Sequence, residues 1–229
     1  MLTLYSYPEL FGLPDNNPYG LKIFTFLKLG NVPFRHEHIF DAKAAPRGQL
    51  PYVVDDGQRI GDSDTIIAHL IKKHGLTIDS ALTASQRDID LMIRRTLDDL
   101  YWVMSYSRWK DPQFWPLFRD AFLKAHPSLT REGMEAAQKY NFQRYHYQGI
   151  GRFEPADAYK RGLADLQVLA NLIGAADFAF GPSPTSTDAG IFGFVANIYF
   201  YEIDTPLRAF VMAHPNLVRH CRAVHAAVA

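Results

Sequence analysis

Residues 49–57 read Gln-Leu-Pro-Tyr-Val-Val-Asp-Asp-Gly, and residues 61–64, Gly-Asp-Ser-Asp, follow where an apolar segment begins. The β-branched and aromatic residues at positions 52–54 favour a strand, and the Asp-Asp-Gly sequence after them is typical of a tight turn. Side-chain oxygens at positions 62–64 favour the start of a helix. The stretch therefore predicts a β-hairpin that leads directly into a helix.

The proline in this stretch limits where the strand can begin. Proline has no backbone N–H, so Pro51 fits the first residue of a strand, an edge or a bend. Only about 5–6% of X-Pro bonds in folded proteins are cis, so the order of residues alone does not decide the isomer. The Leu50-Pro51 bond is a candidate cis peptide.

The composition indicates a soluble globular protein whose partners are small ligands or other proteins. The chain has 229 residues, of which 48% are hydrophobic, and 24 basic residues balance 24 acidic ones without a dense basic run. This balance gives no reason to expect nucleic acid or an anionic membrane surface as a partner. The single cysteine, Cys221, excludes an internal disulfide and a Cys-X-X-Cys site. With no secretory signal and no apolar run of about 18 residues, we predict a cytoplasmic protein that does not span a membrane.

The first third of the chain has the element order of a thioredoxin-like domain. Alternating residues at 2–7 and 35–40 predict two strands in addition to the hairpin. Between them, Asn17 as N-cap, proline at the first position and Gly30 after the end predict a helix over Pro18–Leu29. A helix over Ser63–His74 completes a β-α-β-β-β-α order, and we assign residues 1–76 to this domain.

The rest of the chain predicts helices alone. Residues 75–83 have no periodicity and form a linker, and apolar residues then recur at three- and four-residue spacing over 84–104 until a break near Trp109. Proline and glycine punctuation divides the remainder into further helices. These lie at residues 113–124, 130–147, 155–173, 188–201, 206–213 and 217–228. We assign residues 84–229 to an all-helical domain.

Three of these motifs, in this order, resemble the glutathione transferase superfamily. They are Gln49-Leu50-Pro51, Asp62-Ser63, and the Gly-Pro-Ser-Pro-Thr-Ser-Thr-Asp sequence at residues 181–188. The resemblance implies an α/β thioredoxin-like domain followed by an all-α domain, with a cis bond before Pro51. It also implies that Gln49, Leu50 and Pro51 hold the cysteinyl part of glutathione, and that Asp62 and Ser63 hold its γ-glutamyl end. Thr185 to Asp188 is also typical of a capping box at the start of a helix.

A second set of motifs is similar to the failed axon connections and metaxin branch of this superfamily. The set comprises Asn17-Pro18-Tyr19-Gly20-Leu21-Lys22, residues 147–152, residues 181–193 and Pro215-Asn216-Leu217. This branch includes adaptor-like proteins. Two hypotheses therefore stand: a transferase that conjugates glutathione to a small hydrophobic electrophile in detoxification, usually as a homodimer, and a non-catalytic binding or adaptor protein.

The position of the catalytic donor differs from the superfamily pattern. Superfamily members with a catalytic serine or cysteine carry it just before the proline-aromatic step, where this chain has Asn17. An amide can donate to a thiolate but cannot form a mixed disulfide. The start of the helix should add its dipole and free backbone donors. Tyr7 matches the place of the catalytic tyrosine in other branches. Asn17 as a plain N-cap and Tyr7 as a plain core residue remain alternatives.

Aromatic residues are concentrated at 101–115, and at helical spacing they are more often core than binding site. The resemblance places the end of this helix in the cleft between domains, so we name Tyr101 and Trp109 as candidate contacts for the electrophile. His36 and His38 share one face of a strand, but no third ligand lies near them in the sequence. We therefore expect no metal.

Overall fold

A computed structural model describes all 229 residues and places a four-stranded sheet in the first third of the chain. The strand order is β2-β1-β3-β4, with β1 over Thr3–Ser6, β2 over Arg35–His38, β3 over Tyr52–Asp55 and β4 over Gln58–Gly61. β1 pairs parallel with β2 and antiparallel with β3, and β3 pairs antiparallel with β4. The predicted hairpin and the thioredoxin-like order are confirmed.

Two helices complete this part, and both have the predicted bounds. α1 spans Pro18–Leu29, and α2 spans Ser63–His74. The side chain of Asn17 accepts from the N–H of Tyr19, so Asn17 is the N-cap of α1. Asp62 caps α2 in the same way, and the Leu50-Pro51 bond is cis, as predicted. These local signals place Asn17, Leu50 and Asp62 at element ends that meet at one side of the sheet.

The rest of the chain is helical. The helices are α3 Ala84–Trp109, α4 Trp115–Ala125, α5 Arg131–Gln148, α6 Pro155–Ile173, α7 Ser186–Tyr199, α8 Pro206–Ala213 and α9 Pro215–Val228. A short 3-10 turn over Ile150–Arg152, which we did not predict, joins α5 to α6. None of the helices is both long enough and apolar enough to cross a lipid bilayer.

Close packing of α1 against α7 joins the two parts. A Cβ atom added to Gly193 on α7 would clash with the carbonyl oxygen of Pro18 and would lie 3.0 Å from the backbone nitrogen of Lys22. Only glycine permits two helix backbones to approach this closely. Gly193 therefore fixes where the N-terminus of α1 lies relative to the helical part.

The capping box at the start of α7 is confirmed. The carboxylate of Asp188 is fully buried and accepts from the N–H of Thr185 at 2.8 Å, the N–H of Ala179 at 2.7 Å and Nε2 of His220 at 2.9 Å. Burial opposes ionisation, but these hydrogen bonds outweigh it and lower the pKa of Asp188. The motif ties α7 to α9 and to the preceding loop.

The aromatic segment divides between core and cleft. Tyr106, Phe114 and Trp115 are buried in the main hydrophobic core, as the core interpretation predicts, whereas Tyr101 and Trp109 are only half-buried. Cys221 is fully buried, and burial raises the pKa of its thiol to about 12. Cys221 is therefore a packing residue.

Candidate functional site

Two adjacent cavities lie where the two parts of the chain meet. The first, about 380 Å³, is lined by the loop at residues 47–51 before β3, by the starts of α1 and α2, and by α3 and α5. The second, about 330 Å³, is lined mainly by α3 and α5. Five residues line both cavities: Tyr7, Asn17, Tyr101, Tyr140 and Arg144. We call these five residues the junction.

The first cavity brings together all five residues predicted to hold glutathione. Gln49, Leu50, Pro51, Asp62 and Ser63 all contribute to its wall. The N–H and C=O groups of Leu50 have no backbone partner elsewhere in the chain. Free groups of this kind beside a cavity can pair with an extended peptide, as at the edge of a sheet.

The two residues at the start of α2 differ in how much of their side chain is free. Oδ1 of Asp62 accepts from the N–H of Thr65 at 3.0 Å, and its Oδ2 lies 3.6 Å from Nη1 of Arg47. The hydroxyl of Ser63 accepts from Nζ of Lys22 at 3.1 Å, so its own proton remains available to a ligand. Ser63 is thus a donor, whereas Asp62 already has a structural role as a cap.

Lys22, which we did not predict as a site residue, completes this end of the cavity. It is 5% exposed and forms an ion pair with Asp64, whose other oxygen lies 2.7 Å from Nη1 of Arg94. Burial opposes ionisation of Asp64, but Lys22 and Arg94 outweigh it and lower its pKa. These two cations balance the charge of Asp64 beside the predicted carboxylate site. The position of Lys22 on the buried face of α1 is the sequence signal that could have identified it.

The first cavity carries an excess of positive charge. Its walls contain five basic side chains and three acidic ones, namely Lys22, Arg47, Arg94, Arg95 and Arg144 against Asp62, Asp64 and Asp98. An excess of this sign favours a ligand with net negative charge. A peptide with two carboxylates and one ammonium group has that charge.

Asn17 is both a helix cap and a free donor. Because its Oδ1 accepts from the N–H of Tyr19 at 3.0 Å, the amide orientation is fixed and Nδ2 has no partner in the chain. Tyr7 lies just after β1, and its hydroxyl also has no partner. Burial and the neighbouring Tyr101 raise the pKa of Tyr7, so it remains a neutral donor. The junction therefore offers two side-chain donors.

The start of α1 has fewer free backbone donors than we expected. The N–H of Asn17 donates to Oδ1 of Asp15 at 2.6 Å, the N–H of Tyr19 is taken by Asn17, and Pro18 has none. Asp15 is fully buried, and burial raises its pKa well above the usual range. An anion at the junction would therefore depend on side-chain donors more than on the helix backbone.

The two candidate electrophile contacts take different positions. Tyr101 belongs to the junction, and its hydroxyl accepts from Nη2 of Arg144 at 3.4 Å. Trp109 lines only the second cavity, where its ring stacks on Trp115 with centroids 5.4 Å apart. Both remain predictions for substrate contact, and both lie where an apolar molecule next to the first cavity would touch them.

The second cavity also contains two arginines that we did not predict. Arg108, near the end of α3, is buried and donates to the carbonyl oxygens of Asn16 at 2.6 Å and Asn197 at 2.7 Å. Arg144, on α5, is half-buried beside Tyr101. Sequence pattern gave no signal for either, because their neighbours come from helices far apart in the chain.

No three His, Cys, Asp or Glu side chains are grouped closely enough to hold a metal ion. Of the histidine pair on β2, His36 lies 2.7 Å from Oγ of Ser6. Burial, with a smaller effect of His38, lowers the pKa of His36 to about 4. His36 is therefore neutral at physiological pH and bonded to the strand beside it.

Similarity to known proteins agrees with this geometry. Residues 18–114 match the glutathione S-transferase N-terminal domain family, and residues 162–224 match the glutathione S-transferase C-terminal domain family. The isoprene-epoxide glutathione S-transferase of Rhodococcus sp. (strain AD45) is 29% identical over 98% of both chains. Failed axon connections of Drosophila melanogaster is 29% identical over 96% of this chain, which spans 56% of that protein. Metaxin-3 of Xenopus laevis is 22% identical over 87% of this chain and 67% of that protein.

Solved structures show the same fold. The beta-etherase LigF of Sphingobium sp. strain SYK-6 superposes with a TM-score of 0.67 at 14% identity, covering 99% of this chain and 98% of that one. A glutathione S-transferase of Methylobacterium radiotolerans, solved in complex with glutathione sulfonate, gives a TM-score of 0.63 at 16% identity, covering 99% and 94%. From its two matched domains and its fold, the chain belongs to the glutathione S-transferase superfamily and has metaxin-like relatives.

Proposed function

We propose that the protein is a glutathione transferase that binds glutathione in the first cavity and joins its sulfur to an electrophile in the second. The observation that carries the proposal is the junction, where Asn17 lines both cavities and its Nδ2 has no partner in the chain. A thiolate there would lie beside a donor and next to a second binding space. This is the arrangement that a bimolecular conjugation needs.

In this mechanism, the first cavity holds the tripeptide by its two ends. Leu50 pairs with the cysteinyl backbone, and Ser63 donates to the γ-glutamyl carboxylate while Asp62 faces the ammonium group. Asn17 and Tyr7 donate to the thiolate, which is the nucleophilic form of the thiol. The thiol proton passes to solvent, and the sulfur then forms a bond to an electrophilic carbon in the second cavity. The electron pair of the bond that breaks goes to the leaving group or, in an epoxide, to the ring oxygen, which takes up a proton from water.

The relatives support a transferase but do not fix its substrate. The Rhodococcus relative is named for conjugation of an epoxide and matches this chain end to end, which favours a small electrophile. We also propose that residues 1–76 and 84–229 form the two domains, that the protein acts as a homodimer, and that it is cytoplasmic. Size-exclusion chromatography tests the homodimer, and fractionation of lysed cells tests the cytoplasmic location.

Calorimetric titration with glutathione tests the first step, and Ser63→Ala sharpens it. Asp62, not Ser63, caps α2, and Lys22 keeps its ion pair with Asp64 when the hydroxyl is lost, so stability should change little. We expect affinity for glutathione to fall by about tenfold to a hundredfold, since one hydrogen bond to a charged group is worth about 1.5–3 kcal/mol. Lost stability of about 0.5–2 kcal/mol with unchanged affinity would mean that Ser63 is only a capping residue.

A non-catalytic binding protein is the second candidate. It is favoured by Asn17 in place of a hydroxyl or thiol donor, and by the metaxin and failed axon connections relatives. Its expected behaviour differs in one measurement. A protein of this kind would bind glutathione but show no turnover with any of a panel of aryl halides, epoxides and unsaturated carbonyl compounds.

A further inference from the structure

The second cavity has an unusual charge for an apolar pocket. Two arginines line it, Arg108 and Arg144, and no Asp or Glu side chain does. Neither arginine has a carboxylate within ion-pairing distance anywhere in the chain. The remaining wall is apolar or neutral, with Trp109, Phe122 and Met134 among its members. The cavity therefore presents cations without counter-ions.

Arg108 carries the stronger argument because it is 8% exposed. Its guanidinium donates to two backbone carbonyls and lies 4.8 Å over the ring of Tyr201, none of which is negatively charged. Asp15, a buried acid whose charge acts on Arg108, forms no ion pair with it, and burial raises the pKa of this carboxyl well above the usual range. Arg108 also donates to Oδ1 of Asn197 at 3.2 Å, so its charge is hydrogen-bonded but has no counter-ion. A buried charge without a counter-ion is costly, and an anion entering the cavity would offset that cost.

Arg144 is placed to contact such an anion directly. It donates to Oδ1 of Asn141 at 2.8 Å and more weakly to Tyr101, and its guanidinium lies 5.2 Å from the ring of Trp102. An arginine has five N–H donors, so most of them remain available. Its place in the junction puts this cation beside both the predicted sulfur position and the second cavity.

We propose that the co-substrate of the second cavity is an apolar acid: an electrophile whose carboxylate is bound by Arg144 and stabilised by the charge of Arg108, with its apolar body against Trp109. The sequence predicts a small hydrophobic electrophile, and this proposal adds a carboxylate to it. Conjugation of that acid rests on the proposed transferase function, whereas its binding does not. The carboxylate remains unchanged in the reaction.

A matched pair of aryl chlorides tests the proposal. We choose 4-chloro-3,5-dinitrobenzoate and its neutral methyl ester, which react in the same way: the glutathione sulfur bonds to the carbon that bears chlorine, and chloride leaves with the electron pair of the C–Cl bond. Binding is measured by calorimetry first without and then with excess S-methylglutathione, which has no thiol and would occupy the first cavity if glutathione binds there. Turnover is measured separately with glutathione, and each rate is divided by its uncatalysed rate.

We expect the acid to bind at least about tenfold more tightly than the ester, and to show the same preference in kcat/KM. Arg144→Gln keeps a donor for Asn141 but removes the charge, so the preference should fall below about threefold. Lys139→Gln is the matched control, because it removes one charge from the exposed side of the same helix and lines neither cavity. It should retain the full preference.

The outcomes separate this inference from the proposed function. Turnover of both compounds without a preference for the acid overturns the inference, but the proposed transferase function still stands. Preferential binding of the acid without turnover supports the inference and shows that the proposed transferase function is wrong. If Arg144→Gln slows the acid and the ester equally, Arg144 acts on the thiolate instead, and the inference is wrong. Loss of acid binding once S-methylglutathione is present would place the acid in the first cavity and would also overturn it.

Discussion

At the scale of single residues, Asn17 is both the N-cap of α1 and a free donor at the junction. One substitution separates these two roles. Asp is as good an N-cap as Asn, so Asn17→Asp keeps the acceptor for the N–H of Tyr19 but replaces the free Nδ2 donor by a carboxylate oxygen. We expect turnover to fall by about tenfold to a hundredfold, because a hydrogen bond to a charged acceptor is worth about 1.5–3 kcal/mol and a tenfold change about 1.4 kcal/mol. Steady-state kinetics with an aryl halide, with unfolding curves alongside, measure both effects.

Tyr7→Phe is the control for this assignment. It removes the other free donor of the junction without touching the cap of α1. If Tyr7→Phe lowers turnover less than Asn17→Asp does, Asn17 is the main donor to the sulfur. If Tyr7→Phe abolishes turnover and Asn17→Asp does not, tyrosine is the donor and our assignment fails.

The residues found and missed in the sequence differ in one physical respect. Leu50, Ser63 and Asn17 stand at the ends of strands and helices, where cap and turn chemistry makes a position visible from its immediate neighbours. Lys22 and Arg144 act through partners that lie far away in the chain, Ser63 for the first and Tyr101 for the second. Such pairs are decided by packing, and a single sequence carries no local sign of them.

At the scale of helices and strands, the predicted bounds held where both ends have a chemical signal. α1 has a capping asparagine, an initial proline and a following glycine, and its predicted ends agree with the structure. The start of α7 shows the opposite case, because we predicted a helix from residue 188 on the apolar run that follows it, whereas the helix begins two residues earlier at Ser186. The cap, and not the apolar pattern, sets a helix start.

The crossing of α1 and α7 gives a prediction at this scale. A methyl group at Gly193 would meet the backbone of Pro18 and Lys22, and backbone cannot move aside as a flexible side chain can. We expect Gly193→Ala to lower the free energy of unfolding by about 1–3 kcal/mol and to reduce turnover by shifting the start of α1 away from the hairpin. Gly190→Ala on the same helix is the control, because its Cβ would meet only the end of the Leu97 side chain at 3.5 Å. Urea unfolding of both variants distinguishes close packing from a general cost of changing a glycine in α7.

At the scale of the whole molecule, a chain of polar contacts runs from the first cavity into the helical part. Lys22 on α1 binds Asp64 on α2, Asp64 binds Arg94 on α3, and Arg94 also binds Asp90 at 3.1 Å. Asp90 in turn accepts from the hydroxyl of Thr187 on α7 at 2.6 Å. The glutathione-binding end is therefore built from both parts of the chain, and a ligand there should stabilise them together.

Arg94→Gln tests whether this contact chain holds the two parts together. The pair with Asp64 is about two-thirds buried, with side chains 30% and 32% exposed, so we expect the free energy of unfolding to fall by about 1–3 kcal/mol at pH 7. Arg95→Gln, one residue along α3, breaks only the exposed pair with Asp98 and should cost less than about 1 kcal/mol.

The pH dependence of stability gives a second test of the pair between Arg94 and Asp64. Since Lys22 and Arg94 lower the pKa of Asp64 in the folded protein, their stabilisation is present above the unfolded pKa of about 3.9 and is lost as pH falls through the folded value. Wild type and Arg94→Gln should thus differ at pH 7 and converge in acid, whereas a gap that persists after Asp64 is protonated would mean that Arg94 stabilises the protein through its packing and not through its charge.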